Sequence, residues 1–578
     1  MAKLRLAQFS GEIPRLLSRL LPDTGSQHSE NVRLDDGGLT PIRKARVEHV
    51  FTGLTGIQTI YKFGSTWLSW TSVVNAVPGP VATDRLYYTG DGAPKMLVGS
   101  TVYGLALAGP TAALSVSTAG VGSGDVTTRL YAFTYVTSFG EESQPSPLTA
   151  EVAWQSGITV TLTGFPAVPT GRGITKQRIY RSQSSSQNGT DLFLIEERTA
   201  STSNYVDTHT PTDFQDVIPS KDYDTPPADL AGLISLPNGM MAGFSGKQLC
   251  FSEPYRPHAW PQKYRLTSPF TIVGLGGYGN TIVAGTSGYP YVVTGSAPEN
   301  MIEEKIEVNL PCINGRGLVD LGYSVAYPSN DGLVVVSGGN ATVVTDTLYT
   351  RPKWQQLSPA TLIGGQFAGR YFASFSHVEA DGSITKGTRI IDLTGQQPFV
   401  LRATVAPDAF YYDLPTGSLF YLVGDTVYEW DALGQTNEVM TWTSKRVVFP
   451  DPVSFGAVLV EGSKSMTAEE QAASDAATAA IVASNAALFT AGFNAEIDGM
   501  EFNEFSLNGD GMQALPEAKY ASVRVYADDQ LLRTVNQIGE VKRLQPKLAR
   551  AWEVQVNGTA EIERVVLATS ARELNEVQ

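Results

Sequence analysis

Pairs of neighbouring carboxylates are the feature of this sequence that most directly suggests acid–base chemistry. Glycoside hydrolysis needs two carboxyl groups facing each other across a cleft, so they come from different strands. Adjacent residues on one strand point to opposite faces, so sequence neighbours cannot form such a pair. We therefore predict solvated polar turns at these positions: Asp35-Asp36, Glu141-Glu142, Glu196-Glu197, Glu303-Glu304, Glu469-Glu470 and Asp528-Asp529.

A glycine-rich run is the second candidate for chemistry. Gly274, Gly276 and Gly279 fit the GxGxxG spacing of a dinucleotide-binding loop. Such a loop must lead into a helix, because the pyrophosphate binds at the helix N-terminus. The residues that follow, Thr281 to Gly285, have the composition of a strand. The run is therefore predicted to be a flexible β-turn.

Histidines and cysteines give no recognisable catalytic or metal motif. No two histidines lie within five residues of each other, and there is no GxSxG nucleophile elbow, which leaves only a Ser/His/Asp triad assembled in space. Cys250 and Cys312 lack CxxC spacing and are predicted to be buried small hydrophobic residues. We predict no catalytic, cofactor-binding or metal-binding residues, no cofactor and no enzymatic activity. The histidines are His28, His49, His209, His258 and His377.

The charge balance argues against a sequence-specific DNA-binding protein. The chain has 42 basic and 57 acidic residues, a net charge of −15, and no basic stripe. The cluster Arg43-Lys44-Ala45-Arg46 is expected to be a solvated strand face, with contact to DNA or to an acidic neighbour as the alternative. Residues 1–21 lack the apolar core of a standard export signal, and no long apolar run predicts a membrane span.

Hairpin signals dominate the sequence and predict an all-β fold. Asn-Gly and Asp-Gly pairs recur along the chain, and they suit tight turns because these residues tolerate positive φ. Short strands are predicted between them, for example at Leu333–Val336, Phe420–Val423 and Ser522–Tyr526. Loose internal similarity indicates a β-propeller-like body, with an elongated stack of sandwiches as the alternative. The tryptophans are spread evenly, which favours core anchors over a sugar-binding platform.

Helices are predicted in only two places. Ile13–Leu21 has the pattern of one short helix. Thr467–Leu488 is rich in alanine, and Thr467 with Glu470 fits a capping box at its start. The composition of residues 461–518 differs from that of the rest of the chain, which predicts an excursion between two strands of one sheet.

The composition divides the chain into six segments. Residues 113–225 are predicted to be an inserted module that folds on its own, because a small-residue stretch precedes it and Pro226-Pro227 ends it. The other segments are an N-terminal docking segment (1–50), the first and main parts of the body (51–112 and 226–460), the excursion (461–518) and C-terminal strands returning to the body (519–578).

Three stretches carry motifs that resemble those of one protein family, the tail nozzle proteins of short-tailed phages, also called tail tubular, hub or tail stabilisation proteins. The middle stretch also looks like the late strands of a fibronectin-type-III module. The matching elements are Phe9-Ser10-Gly11, Pro14, Arg19-Leu20-Leu21-Pro22, Gln27, Asn31, Leu34, Asp36-Gly37-Gly38-Leu39 and Pro41-Ile42; then Arg178-Ile179-Tyr180-Arg181-Ser182, Phe193-Leu194-Ile195 and Tyr205-Val206-Asp207-Thr208; and finally residues 441–460 and 547–577.

The resemblance implies a structural virion protein located in the tail. It implies a propeller-like body with a fibronectin-III-like insertion, whose copies form a hexameric ring beneath the portal and adaptor rings. The implied partners are portal-associated adaptor proteins, tail fibre or needle proteins, and double-stranded DNA that passes without sequence-specific binding. Residues 461–518, which match nothing in the family, are placed at the distal tip.

Two other functions fit parts of the sequence. A receptor-binding or glycan-degrading tail component would use the propeller to hold a cleft and would be a trimer with facing carboxylates. A bacterial adhesion module would carry fibronectin-like repeats and would need an export signal. Oligomer symmetry separates the first alternative from the nozzle, because a spike is three-fold and a nozzle ring is six-fold.

Overall fold

The computed structural model describes residues 3–184, 190–210, 215–395, 397–462, 479–484 and 519–575. Strands dominate this part of the chain, which confirms the all-β prediction. The strands that precede the predicted insertion are β1 (Lys3–Ala7), β2 (Ser26–Glu30), β3 (Val32–Arg33), β4 (Thr40–Pro41), β5 (Arg46–Val50), β6 (Thr59–Phe63), β7 (Thr66–Trp70), β8 (Asn75–Pro78), β9 (Arg85–Thr89), β10 (Lys95–Val98) and β11 (Thr101–Gly104).

Residues 113–225 form three small antiparallel sheets around one hydrophobic core. The sheets follow the orders β12-β16-β19, β13-β15 and β14-β17-β18. The core contains Tyr131, Phe133, Val160 and Ile179, which are fully buried. The strands are β12 (Ser115–Ala119), β13 (Ser123–Arg129), β14 (Tyr131–Thr137), β15 (Val152–Ser156), β16 (Thr159–Thr163), β17 (Ile174–Ser184), β18 (Thr190–Thr199) and β19 (Tyr205–Asp207).

After the insertion, the chain returns to short hairpin-linked strands. These are β20 (Ala231–Ser235), β21 (Met241–Ser245), β22 (Gln248–Phe251), β23 (Leu266–Thr267), β24 (Ile272–Tyr278), β25 (Thr281–Thr286), β26 (Tyr291–Thr294), β27 (Ile302–Lys305), β28 (Val319–Asp320), β29 (Val325–Pro328), β30 (Leu333–Ser337), β31 (Asn340–Val343), β32 (Ile363–Phe367), β33 (Arg370–Val378), β34 (Ile384–Asp392), β35 (Phe399–Ala403), β36 (Ala409–Asp413), β37 (Ser418–Val423) and β38 (Thr426–Glu429).

The last strands and the helices complete the described chain. The strands are β39 (Met440–Ser444), β40 (Val447–Val453), β41 (Ala457–Gly462), β42 (Ala521–Ala527), β43 (Gln530–Val535), β44 (Val541–Arg543), β45 (Ala549–Gly558) and β46 (Ile562–Ala568). The helices are α1 (Arg351–Gln355), α2 (479–484) and α3 (Ala571–Asn575), with single 3-10 turns at Ser18–Leu20, Gln262–Tyr264, Pro298–Asn300 and Gly315–Gly317.

Seven antiparallel strand units follow one another along the chain: β6-β7, β8–β11, β20–β23, β24–β27, β28–β31, β32–β35 and β36–β38. The first five are separate sheets, β36–β38 is completed by β5, and β32–β35 is one end of a ten-stranded sheet that continues through β2 to β39, β45, β42 and β43. The first strands of neighbouring sheets contact each other in the order β8, β20, β24, β28, β32, β36, and β36 then contacts β6. The β6-β7 hairpin packs through Tyr61, Phe63, Leu68 and Trp70 on the core of the β8–β11 sheet. The succession of contacts therefore returns to its starting point.

Residues 3–50 supply strands to sheets that the later chain builds. β5 is the outer strand beside β38, and β2 lies between β35 and β39. β1 pairs with β46 near the C-terminus. The predicted N-terminal docking segment is thus interwoven with the body.

Two facing sheets gather the end of the chain. One has the order β1-β46-β41-β44, and the other contains β39, β45, β42 and β43. Both contribute to a single core that includes Val458, Val523 and Trp552. β41 and β42 flank the excursion, and we predicted that they belong to one sheet; that prediction is wrong, because they lie in opposite sheets of this pair. Alternating apolar residues show that a strand has one buried face but do not show which sheet it joins.

The local predictions fared differently at turns and at helices. Gly37, Gly92, Gly239 and Gly382 have positive φ in the predicted Asp-Gly or Asn-Gly turns, whereas Asn557-Gly558 lies inside β45. The helix predicted at Ile13–Leu21 is only a 3-10 turn at Ser18–Leu20. Pro14 lies inside the predicted segment and Pro22 follows it. Of the predicted alanine-rich helix, residues 479–484 are helical, and the remainder lies outside the described residues.

Candidate functional site

The carboxylate pair Glu141-Glu142 lies at the junction between the inserted module and the body. Both residues are buried, with 5% and 3% of their surface exposed, so the prediction of a solvated turn is wrong here. They follow β14 across a tight turn in which Gly140 adopts φ +77°. Phe139 in the same turn packs between the β8–β11 and β20–β23 sheets, and this packing draws the carboxylates into the interior.

The Glu142 carboxylate is saturated by donors from its own module. Its Oε2 accepts a hydrogen bond from Arg178 Nη1 at 2.7 Å. Its Oε1 accepts from Tyr180 at 2.6 Å, Thr134 at 2.8 Å and Ser220 at 3.2 Å. Burial, together with the charge of Glu142, raises the pKa of the Tyr180 hydroxyl well above its usual value. Because four donors from the same module hold this buried carboxylate, it acts as an anchor.

Glu141 faces the body. Its Oε2 lies 2.6 Å from Arg172 Nη2, and the same nitrogen donates to the carbonyl oxygen of Leu105 at 3.3 Å. His258, from the loop after β22, lies 2.9 Å from the Glu142 carbonyl oxygen through Nε2 and 3.9 Å from Glu141 through Nδ1. Burial lowers the pKa of His258 from 6.5 to about 3, so the ring is neutral. Three elements of the chain thus meet at one buried polar joint.

A second buried ion cluster lies inside the module. Asp207 accepts from Tyr131 at 2.7 Å and lies 3.0 Å from Arg181 and 3.3 Å from Arg129. The Arg129 guanidinium also stacks on Trp154, with its carbon 3.5 Å from the ring centroid. The cluster ties β13, β14, β17 and β19 together, because one acceptor side chain serves donors from three of those strands.

The remaining carboxylate pairs divide between turns and strands. Asp35-Asp36 and Asp528-Asp529 lie in turns, as predicted. Glu196-Glu197 lies within β18 and Glu303-Glu304 within β27, so these two pairs were misplaced. Glu469-Glu470 lies outside the described residues.

The GxGxxG run serves sheet packing. Gly274 and Gly276 lie within β24, so the prediction of a β-turn is wrong for most of the run. Only its end, at Gly279, is a turn, and it leads directly into β25. A Cβ atom on Gly276 would lie 2.8 Å from Val325, and one on Gly274 would lie 3.2 Å from Leu318. The glycines therefore let β24 approach the next sheet closely, and no helix follows that could bind a phosphate.

Histidines and cysteines are placed without a catalytic partner set. Ser358 Oγ and His377 Nδ1 are 2.9 Å apart, and none of the hydrogen bonds in the described part of the chain adds a carboxylate to this pair. Cys250 and Cys312 are both 1% exposed, as predicted, and burial raises their pKa values to about 11 and about 12. Within the described ranges, no group of three His, Cys, Asp or Glu side chains could hold a metal ion.

The basic cluster at 43–46 pairs with acidic side chains of the same chain. Arg43 binds Asp431 through Nε and Nη2, at 3.1 and 2.8 Å, and Arg33 joins the same carboxylate at 3.1 Å. Arg46 Nη2 lies 2.5 Å from Glu429. The predicted solvated strand face holds only for Arg46, which is exposed on β5, whereas residues 43–45 are half-buried. The acidic neighbour of the alternative is present, and it belongs to the same chain.

A cavity of about 250 Å³ opens beside the N-terminal segment. Glu12 on its wall is 2% exposed and binds Arg402 through two hydrogen bonds of 2.7 Å. Glu12 also accepts from the backbone of Ser29 at 2.8 Å, so it too is saturated. The other lining residues are Ile13, Pro14, Leu16, Ser18, Leu21, Ser26, Gln27 and Lys353.

The tryptophans act as core anchors, as their even spacing predicted. Trp260, Trp354, Trp442 and Trp552 are at most 1% exposed, and they lie far apart in the sequence. None of the helices in the described ranges is both long enough and apolar enough to cross a membrane.

Comparison with known proteins identifies no family. No family model matches the sequence, and no curated protein matches it. Among solved structures, the chain is similar to the extracellular domain of the hybrid two-component system BT4673 of B. thetaiotaomicron, with 9% identity, 73% of this chain and 44% of that chain covered, and a TM-score of 0.27. The AfRom2 CNH domain matches at 8% identity over 57% of this chain and 95% of that chain, with a TM-score of 0.24. The chain spans less than half the length of the BT4673 chain.

The sequence analysis did not predict the buried carboxylates that hold the strands together. Glu12, Glu142 and Asp207 are scattered in sequence, and each is surrounded by ordinary strand or turn residues. One available signal was Arg181, which directly follows Ile179 and Tyr180 in the sequence, since a buried arginine needs an acidic partner.

Proposed function

We propose that this chain is a structural virion protein, a subunit of the tail nozzle ring of a short-tailed phage. In this role, it is located in the virion tail after assembly in the host cytoplasm. It extends the DNA exit channel, retains the genome and lets it pass into the host. The observation that carries the proposal is the packing of the family-like motifs from the two ends of the chain.

The motif residues at the two ends contact one another directly. The rings of Phe9 and Trp442 meet edge to face, with centroids 4.9 Å apart. The backbone N–H of Leu39 donates to the carbonyl of Ile562 at 2.8 Å. Gly11 lies so close to Phe399 and Val400 that a Cβ would clash with both. Motifs that look short and degenerate in sequence thus share one role, which is to join the N-terminal segment to the end of the chain.

We also propose that the body is a β-propeller with seven blades. The cyclic order of contacts supports this, as does the completion of the β36–β38 sheet by the distant strand β5. Arg316 adds a tie between separated sheets, since Nη2 donates to Gln58 O at 2.8 Å and to Asp408 O at 2.7 Å. Gln58 immediately precedes β6, and Asp408 immediately precedes β36.

The inserted module is proposed to be fibronectin-III-like. Two three-stranded sheets face each other across one core whose buried members all lie between Leu114 and Ile195. The family-like run 178–182 lies in β17, which pairs with β14 on one side and β18 on the other. Such a module has its own core, so it is expected to fold as a unit.

The saturated carboxylates favour a structural role over glycan degradation. The buried carboxylates Glu12, Glu141, Glu142 and Asp207 are each bound by at least one arginine. A retaining or inverting hydrolase needs a second carboxyl across an open cleft. We therefore propose that the chain has no enzymatic activity.

The charge suits a channel for DNA. A net charge of −15 per chain gives about −90 for six copies. Repulsion between like charges keeps a polyanion from adhering to the wall, whereas Lys/Arg clamps would bind its phosphates. The proposed partners are the adaptor and portal-associated tail proteins above the ring and tail fibre or needle proteins beside or below it. Residues 461–518 are proposed to form the distal tip.

Particle symmetry tests the proposal. The purified chain is measured by mass photometry and imaged by negative-stain electron microscopy over a concentration series. A ring with the mass of six chains and six-fold symmetry is the expected result. A three-fold particle would instead support the receptor-binding or glycan-degrading component, and a monomer at every concentration would contradict a ring-forming subunit.

A further inference from the structure

Two exposed apolar surfaces of opposite charge lie far apart in the sequence of this chain. The first, the leucine loop, comprises residues 13–21 and carries Leu17 at 63% and Leu20 at 59% exposure. The second, the valine tip, comprises residues 119–126 at the end of the module and carries Val121 at 91% and Val126 at 61% exposure. Each surface thus places two exposed aliphatic side chains a few residues apart, and exposed apolar surface is what a partner protein covers.

The charges of the two surfaces are complementary. The leucine loop contains Arg15 and Arg19, both exposed, and no acidic residue. The valine tip contains Asp125, and Glu151 follows on the same module. Asp125 and Glu151 are the only exposed charged residues between 107 and 171, a range that the structure describes completely. A basic apolar surface and an acidic apolar surface attract each other and reject copies of themselves.

The module and the leucine loop join the body at different places in the cyclic order of sheets. The module leaves the chain between the β8–β11 and β20–β23 sheets. The leucine loop lies against the segment that joins β28–β31 to β32–β35, because Arg15 N donates to Leu348 O at 2.7 Å. In the cyclic order of sheets, three steps in one direction and four in the other separate these junctions.

We propose that the leucine loop of one copy binds the valine tip of the next copy, so that the chain assembles head to tail. An interface between two different surfaces of identical chains generates a ring when its rotation closes. Two different and complementary surfaces on one chain are what such a heterologous interface requires. The inference rests on the proposed ring-forming function and names the contact that holds the ring together.

Site-directed cross-linking tests the contact. Both native cysteines are buried, so a short bismaleimide reacts only at introduced positions. The single variants Leu17→Cys and Val121→Cys are prepared together with the double variant. Leu414→Cys, whose parent residue is 79% exposed on the β36-β37 turn, serves as the matched control.

Each outcome of the cross-linking has a distinct meaning. We expect an equal mixture of the two single variants to give dimers, neither single variant alone to do so, and the double variant to give a ladder that stops at the size of the ring. The double variant that combines Leu414→Cys with Val121→Cys is expected to give no ladder. Six-fold particles without the Leu17–Val121 ladder would overturn this contact alone, whereas a monomer at every concentration would overturn the ring as well.

Charge reversal gives an independent check. Arg19→Glu and Asp125→Arg are each expected to raise the dissociation constant of the assembly roughly tenfold, because each places like charges opposite one another. The combined variant is expected to recover assembly, since the pair is attractive again. Loss of assembly in the combined variant would overturn the proposed pairing, and unchanged circular dichroism melting controls for folding.

Discussion

The indole Nε1 of Trp442 donates a hydrogen bond to the carbonyl oxygen of Ser10 at 3.1 Å, across 432 residues of sequence. Trp442 is fully buried, and its ring also holds Phe9, which is 5% exposed. The N-terminal segment is therefore fastened to the final sheets by a polar and an apolar contact at the same place.

Truncation of Phe9 tests the strength of this fastening. Phe9→Ala removes a buried ring beside Trp442 and is expected to lower the free energy of unfolding by about 3–5 kcal/mol. Urea unfolding followed by tryptophan fluorescence measures the change. Leu414→Ala, at a position 79% exposed, is expected to stay within about 0.5 kcal/mol of wild type. Equal effects of the two substitutions would mean that the N-terminal segment is only loosely attached.

Removal of the buried negative charge of Glu142 is expected to lower the free energy of unfolding. Glu142→Gln keeps the shape of the side chain but removes the buried partner of Arg178, which retains Glu197, so we expect a loss of roughly 1.5–3 kcal/mol. The control is Glu197→Gln, which removes another partner of Arg178 from a position where the carboxylate is 30% exposed. That change is expected to cost at most about 1 kcal/mol, because water screens it. Chemical denaturation of both variants decides whether Glu142 is the stronger anchor.

His258 predicts that the protein loses stability in acid. The unfolded ring has a pKa of 6.5, while burial holds the folded ring at about 3. Between these values, the unfolded chain binds a proton that the folded chain does not, so stability falls as the pH drops below 6.5. The loss is roughly 1.4 kcal/mol for each pH unit. The free energy of unfolding, measured across this pH range, should depend less steeply on pH for His258→Gln than for the wild type. An unchanged slope would show that other groups govern the acid response.

A methyl group added at Gly276 tests whether the glycine-rich run is needed for close packing between two sheets. Gly276→Ala places a Cβ 2.8 Å from Val325 and is expected to destabilise the protein by about 1–3 kcal/mol through overpacking. Gly104→Ala lies on a strand with nothing within 4 Å of the new atom, so it serves as the neutral control. Thermal melting compares the two, and a neutral Gly276→Ala would mean that the sheets separate easily at this contact.

Removal of the excursion is expected to leave the body intact. Gly462 pairs with Ile562, and the carbonyl of Tyr520 accepts from Thr559 and Ala560, so the chain leaves and returns beside the same β45-β46 turn. Replacement of 464–516 by a short Gly/Ser linker therefore closes a small gap at modest entropic cost. We expect melting and ring formation to be unchanged and DNA retention in the particle to be impaired. Failure to form rings would contradict the proposed distal placement.

The sequence predicted the strands better than it predicted their partners. Hairpin turns such as Asp91-Gly92 and strands such as Leu333–Val336 follow from local φ preferences and alternation, and both are present. The pairing of β5 with β38, or of β2 with β39, joins residues hundreds of positions apart, and local propensity carries no information on it. The burial of Glu141-Glu142 escaped prediction for the same reason, because its cause is the packing of Phe139 between two distant sheets.

The position of β5 has a consequence for biosynthesis. Its partners lie at Thr426 to Glu429, so Arg46–Val50 leaves the ribosome long before the strand that it must join has been translated. At typical elongation rates, this interval lasts on the order of tens of seconds. An unpaired edge strand is a template for pairing with other chains, and a polysome holds many such chains close together. Expression of the nascent chain is therefore expected to depend on a cellular chaperone that shields the first strands until translation passes β38.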